Sequence, residues 1–170
     1  MRRRPRRGLV ALAAAALVGA AACRGARVSD TGYVGTWSIG NERTRSVLAI
    51  VKSGDGYRVR PGVRTVDGSR EVRCGWEGRC EEILDGASAF EWSLAARVDP
   101  GTGRLVVEID ARALAPGRVG FRIVDEFVVG PSGTALEAYT LERSGQVFAA
   151  GARPRRVYEK VSDQVEEAPP

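Results

Sequence analysis

From residue 33 onward, apolar and polar side chains alternate with a period of two, interrupted by short turn clusters. In FEWSLAARVD, residues 90–99, Phe90, Trp92, Leu94, Ala96 and Val98 fall on one face, with Glu91, Ser93, Arg97 and Asp99 on the other. That alternation predicts a half-buried strand. The turn PGTG (100–103) follows, and RLVVEIDA then places Leu105, Val107, Ile109 and Ala111 together. RVGFRIVDEFVV (118–129), the turn GPSG (130–133) and TALEAYTLERS (134–144) repeat the theme. Upstream, YVGTWSI (33–39), SVLAIVK (46–52), the turn SGDG (53–56) and YRVR (57–60) do the same. REVRC (70–74) and RRVYEKV (155–161) complete it. The pattern predicts eight or nine strands. Only ARALA (111–115) offers a helical turn, stopped by Pro116. Successive strands on tight turns predict an all-β domain: a single antiparallel up-and-down barrel of about eight strands, because closure removes exposed edges. A Greek-key sandwich, with the same hairpin signals, is the alternative strand order.

Before residue 33 the pattern is different. MRRRPRRG carries five arginines and no acid, and residues 9–22, LVALAAAALVGAAA, are uncharged. A basic start, a short apolar run and small residues before Cys23 predict a cleaved signal peptide over 1–22. Fourteen residues are too few to span a membrane, which takes about 20. Ala20-Ala21-Ala22 suits an ordinary signal peptidase. Together with Cys23 the same residues resemble the lipobox of bacterial lipoproteins, with Ala20 where Leu is usual. The resemblance implies cleavage after Ala22 and acylation of Cys23. Membrane lipid is then the partner, and the acyl chains hold the protein at the outer face of a membrane in the bacterial cell envelope. Arg24 stands where an aspartate would resemble an inner-membrane retention signal, which favours an outer membrane where one exists. The alternatives are plain secretion and, from Arg6-Arg7, twin-arginine export.

Cleavage changes the charge. The whole chain has 26 Lys and Arg against 21 Asp and Glu, a formal +5. The five excess arginines are all in the leader, so the chain from Cys23 is formally neutral. A nucleic-acid partner, which needs a net basic surface, is excluded on this ground.

Two further cysteines stand in CGWEGRC, residues 74–80. With Cys23 acylated, Cys74 and Cys80 are left to pair with each other, which suits an exported chain. Two separate reduced thiols are the alternative. Their spacing is not that of a zinc site, and the chain has no histidine to complete one. The predicted organisation is a flexible tether over 23–32, a barrel domain over 33–161 and a disordered tail over 162–170.

Gly35-Thr36-Trp37 on the first strand and Arg155-Arg156 on the last resemble the ends of lipocalins and their calycin relatives. The resemblance implies that the Trp37 indole packs at the closed end of the barrel against Arg155 or Arg156. The middle lipocalin motif, a T-D-Y loop, has no counterpart here.

The absence of histidine removes Ser-His-acid triads, Cys-His dyads and most zinc hydrolase sites. GPSG and PGTG are turns, not a nucleophile elbow or a phosphate loop. Glu81 and Glu82 are adjacent, and neighbours on a strand point apart. No catalytic residue, metal or cofactor is expected, and the chain is read as a non-enzyme. Asp125 breaks the apolar face of 118–129. It is read as an ion pair or hydrogen bond, with Arg156 or Arg143 as partner, as a residue turned outward by a bulge, or as a group lining a ligand cavity. Between 58 and 79 six arginines meet three acids, a solvated strand face or a surface for anionic headgroups or wall polymers. Trp76, in the cysteine loop, is a candidate partner anchor or a cap on the barrel mouth. The expected function is a non-catalytic binding module for a small apolar or amphipathic ligand. An accessory or inhibitor that binds another envelope protein through residues 74–80 is the alternative. Lysozyme-inhibitor lipoproteins offer a comparison in architecture only.

Overall fold

The computed structural model describes residues 32–41 and 43–165. The predicted leader, Cys23, the tether up to residue 31 and residues 166–170 lie outside the described residues. Eleven strands follow one another: β1 (Gly35–Gly40), β2 (Thr44–Ser53), β3 (Gly56–Thr65), β4 (Arg70–Cys74), β5 (Arg79–Leu84), β6 (Ala87–Val98), β7 (Leu105–Ala113), β8 (Phe121–Val129), β9 (Ala135–Arg143), β10 (Gln146–Val147) and β11 (Arg155–Ser162). Neighbours in sequence pair antiparallel from β1 through β9. β11 then lies between β9 and β1, so ten strands form one closed antiparallel barrel. The two-residue β10 sits outside this ring on the edge of β9. The ladder closes on itself within residues 35–162, so this stretch carries a complete sheet and its own core.

The ring has ten strands rather than about eight, chiefly because β5 is hard to read. Its inward positions include Glu82, which is 4 % exposed and takes Arg70 Nε at 2.7 Å, so its apolar alternation fails. ARALA forms no helical turn. Its first three residues extend β7, where Ala111 pairs with Trp92 and Ala113 with Phe90. Residues 162–165 of the predicted tail continue the last strand and its exit: Ser162 pairs with Thr36, whose Oγ1 donates to the Gln164 carbonyl at 3.0 Å.

The interior is filled by two clusters of side chains. One gathers Tyr33, Trp37, Leu48, Ile50, Leu105 and Leu136 towards the β1 entrance. The other gathers Val72, Cys80, Phe90, Trp92 and Ala111 under the β4–β5 hairpin. That hairpin is short. β4 pairs with β3 only at Val63 and Arg64, and β5 leaves β6 after Ser93. Beyond its turn the remainders of β3 and β6 face each other without a ladder, so the barrel has ten strands at one end and eight at the other. Pro61, which has no N–H to give, stands on the edge of β3 that no strand covers.

Candidate functional site

The first core cluster is built around Trp37, which is fully buried. Its Nε1–H donates to the Tyr33 carbonyl at 2.9 Å. Tyr33 in turn crosses to the far wall. Its hydroxyl donates to the Phe127 carbonyl at 3.0 Å and accepts from the Leu105 amide at 3.3 Å, and its ring meets Tyr57 edge-on at 5.5 Å. Burial pushes the Tyr33 phenol above its usual range, although the Leu105 amide and Arg104 pull the other way. Gly35 is a glycine for a local reason. Its φ is +137°, and a Cβ there would stand 2.6 Å from the Ser162 carbonyl at the bulge where β1 meets β11.

A cation does lie over the indole, but it is Lys160, at 5.2 Å, and not Arg155 or Arg156. Register decides this: Lys160 is paired directly with Trp37 across β1 and β11, whereas the two arginines lie further down β11 against Tyr139 and Ala138 of β9. Arg155 is on the outer wall and takes Glu137. Arg156 points inward to Asp125. Lys160 and Tyr33 were missed from the sequence. Both sit at even spacing from residues that were singled out (Tyr33 from Trp37, Lys160 from Arg156), and that parity is the signal that would have found them.

Asp125 is 3 % exposed on the inner face of β8. Thr140 Oγ1 of β9 donates to its Oδ1 at 2.8 Å, and Arg156 Nη2 of β11 donates to its Oδ2. A bulge between Val124 and Asp125 brings Thr140 opposite without turning the carboxylate outward. Arg143 is not the partner. Burial works against the Arg156 charge, but Asp125 and Tyr158 together offset it and leave that guanidinium held more firmly protonated than usual. The Arg156 side chain keeps 39 % of its exposure while the carboxylate it covers keeps 4 %. The group therefore connects the interior to solvent through a cation.

Cys74 and Cys80 are directly opposed at the end of the β4–β5 hairpin, at disulfide distance with Sγ–Sγ 2.00 Å and Cα–Cα 4.0 Å. The turn between them fills the gap where β3 and β6 have no strand between them. Leu94 N donates to Gly78 O at 2.7 Å, and the Arg60 guanidinium lies 4.4 Å over the Trp76 ring. Trp76 is half-buried, stacked on the outside of β3. It stands on a different wall from Asp125, so the two candidate contacts do not form one site. Glu81 and Glu82 point apart, as adjacent strand residues do: Glu81 is exposed beside Ser88, and Glu82 is inside. Two open grooves are present among the described residues: one combines Trp92, Ala111 and Phe121 of the second cluster with the outward Arg79, Glu91 and Arg122, and the other is lined by Arg73, Cys80, Glu81, Glu91, Arg112 and Leu114. No protein-family model, curated protein or solved structure matches this chain.

Proposed function

We propose that the chain is an exported lipoprotein, anchored through Cys23 at the outer face of an envelope membrane, whose barrel binds a small amphipathic ligand without catalysing a reaction. The observation that carries this reading is the Asp125–Thr140–Arg156 group. An ion pair set into an apolar wall is no more stabilising than well-packed apolar residues of the same volume, so its presence calls for a use. Arg156 offers a half-exposed guanidinium held in a fixed place, which suits an anionic or strongly polar head. The apolar part of the ligand lies at the mouth of the barrel, because the interior is already occupied by Trp37, Ile50, Leu105 and Leu136. The GxW strand and the cation over its indole support a lipocalin-like barrel.

The second reading is a protein-binding accessory factor that uses residues 74–80, and the partly exposed Trp76 favours it. Native mass spectrometry of the delipidated domain, purified from its own cells, separates the two. A co-purifying molecule that is lost in the Asp125→Asn, Arg156→Gln double variant is the expected result. This variant keeps hydrogen-bonding groups in place and removes both charges. An empty barrel, with a protein partner lost on Trp76→Ala, contradicts the ligand reading and supports the second. Turnover of a hydrolase substrate that Asp125→Asn abolishes contradicts both.

A further inference from the structure

The formally neutral mature chain separates its charge in space. Residues 43–64 hold six basic side chains and one acid, while the rest of 32–165 holds thirteen basic and seventeen acidic. Strand parity concentrates the basic groups further. Leu48, Ile50, Tyr57 and Val59 are in the core, so Arg45, Val47, Ala49 and Val51 of β2 and Arg58, Arg60, Gly62 and Arg64 of β3 face outward. This wall has four arginines and no acid. Arg45 and Arg64 are directly opposite each other across the ladder, an arrangement that like charges disfavour. The nearest carboxylate on the next strand, Glu71, is opposite Arg64 and feels its charge, while its hydrogen bond is to Arg73 at 2.9 Å. At the edge of the wall is Trp76, stacked on Arg60.

We infer that the outer wall of β2 and β3 is a contact surface for the anionic headgroups of a lipid bilayer. Three features favour a bilayer over a soluble polyanion. The arginines flank partly buried valines, Val47 and Val51, on one wall instead of lining a groove. An indole at the rim matches the side chain preferred at the membrane–water boundary. The inference also rests on the proposed lipid anchor for its geometry: residues 24–32 reach about 30 Å when extended. They lead into β1, whose first residue, Gly35, pairs with Ile50 of β2, so an acylated Cys23 allows this wall to lie against the membrane.

The test uses the chain from residue 23 with Cys23→Ser, made without its leader and carrying no lipid, so it does not depend on acylation. Its co-sedimentation with phosphatidylglycerol-containing vesicles should exceed that with pure phosphatidylcholine and weaken as salt rises. The triple variant Arg45→Gln, Arg58→Gln, Arg64→Gln should lower the partition about 100-fold, at about fivefold per arginine. The control triple Arg79→Gln, Arg118→Gln, Arg143→Gln, with the same change in net charge elsewhere, should leave it within about twofold. A β-sheet circular dichroism spectrum for each variant shows that it is folded. Equal binding to both vesicle types overturns the inference. So does an equal loss in the control, or binding to soluble polyglutamate with none to vesicles. Failure of the lipid anchor is read separately, from the mass of the native N-terminus.

Discussion

At the scale of single residues, the first core cluster depends on Tyr33 as much as on Trp37. One phenol ties the entrance of β1 to Leu105 of β7 and Phe127 of β8, and the same residue's carbonyl holds the indole. This predicts an alkaline limit. Burial raises the Tyr33 phenol above the ordinary tyrosine range, and burial likewise raises Tyr158. A group whose folded pKa lies above its unfolded one stabilises fully below the unfolded value and loses that contribution as pH rises through the folded value. Urea midpoints should therefore hold up to about pH 10 and fall beyond it. Tyr33→Phe should start lower, by about 1 kcal/mol for each hydrogen bond lost, and fall less steeply. Parallel curves for the two proteins would show that Tyr33 does not govern the loss. Asp125 shows what sequence can disclose at this scale. A carboxylate on an apolar face announces a buried partner, and Arg156 was one of two named. Which arginine it was, and that Lys160 covers Trp37, depend on strand register. Register is set by bulges between Thr36 and Trp37 and between Val124 and Asp125, and the alternation does not mark them.

At the scale of elements, the 74–80 turn replaces a missing stretch of sheet. The β4–β5 hairpin is too short to part β3 from β6 along their whole length, and its turn ends against Leu94 of β6 and Arg60 of β3, where the two strands come to face each other. Gly78 makes this fit: its φ is +80°, and a Cβ would stand 2.5 Å from the Leu94 carbonyl. The cysteine pair fixes the base of that turn. Replacing both by serine should cost about 2 kcal/mol in the chain-entropy model and should loosen Trp76 from Arg60, shifting its emission to the red. An unchanged denaturation midpoint and emission would show that the turn is held without the bond. The β6 and β7 strands were legible because their inner faces are apolar over four or more positions, and β8 because Asp125 alone breaks an otherwise apolar face. β5 was not, because an inward glutamate paired with Arg70 breaks the rhythm that a strand is recognised by. The end of β7 in ARALA was hidden differently: alanines suit a helix, and only their pairing with Phe90 and Trp92 makes them strand.

At the scale of the whole molecule, the hairpin turns predicted an up-and-down order but left a Greek-key order open. The pairing of neighbours from β1 through β9, with β11 returning between β9 and β1, decides for the closed up-and-down ring. The charge pattern was half legible. Arg58, Arg60 and Arg64 stood out in the chain, but Arg45 joins them only through the pairing of β2 with β3, and Arg70 and Arg73 leave them by pairing with Glu82 and Glu71. In the proposed function, place hangs on one residue, Cys23: lipid there would bring a formally neutral domain with one basic wall to a membrane, and without lipid the domain would be a free secreted protein. The most direct test is the intact mass of the chain purified in detergent from its own cells, before and after reduction. The account predicts a chain beginning at Cys23 with acyl chains added to it, and a gain of two hydrogens on reduction of the Cys74–Cys80 bond. A chain that begins at Cys23 without added mass, or that retains residues 1–22, would contradict it.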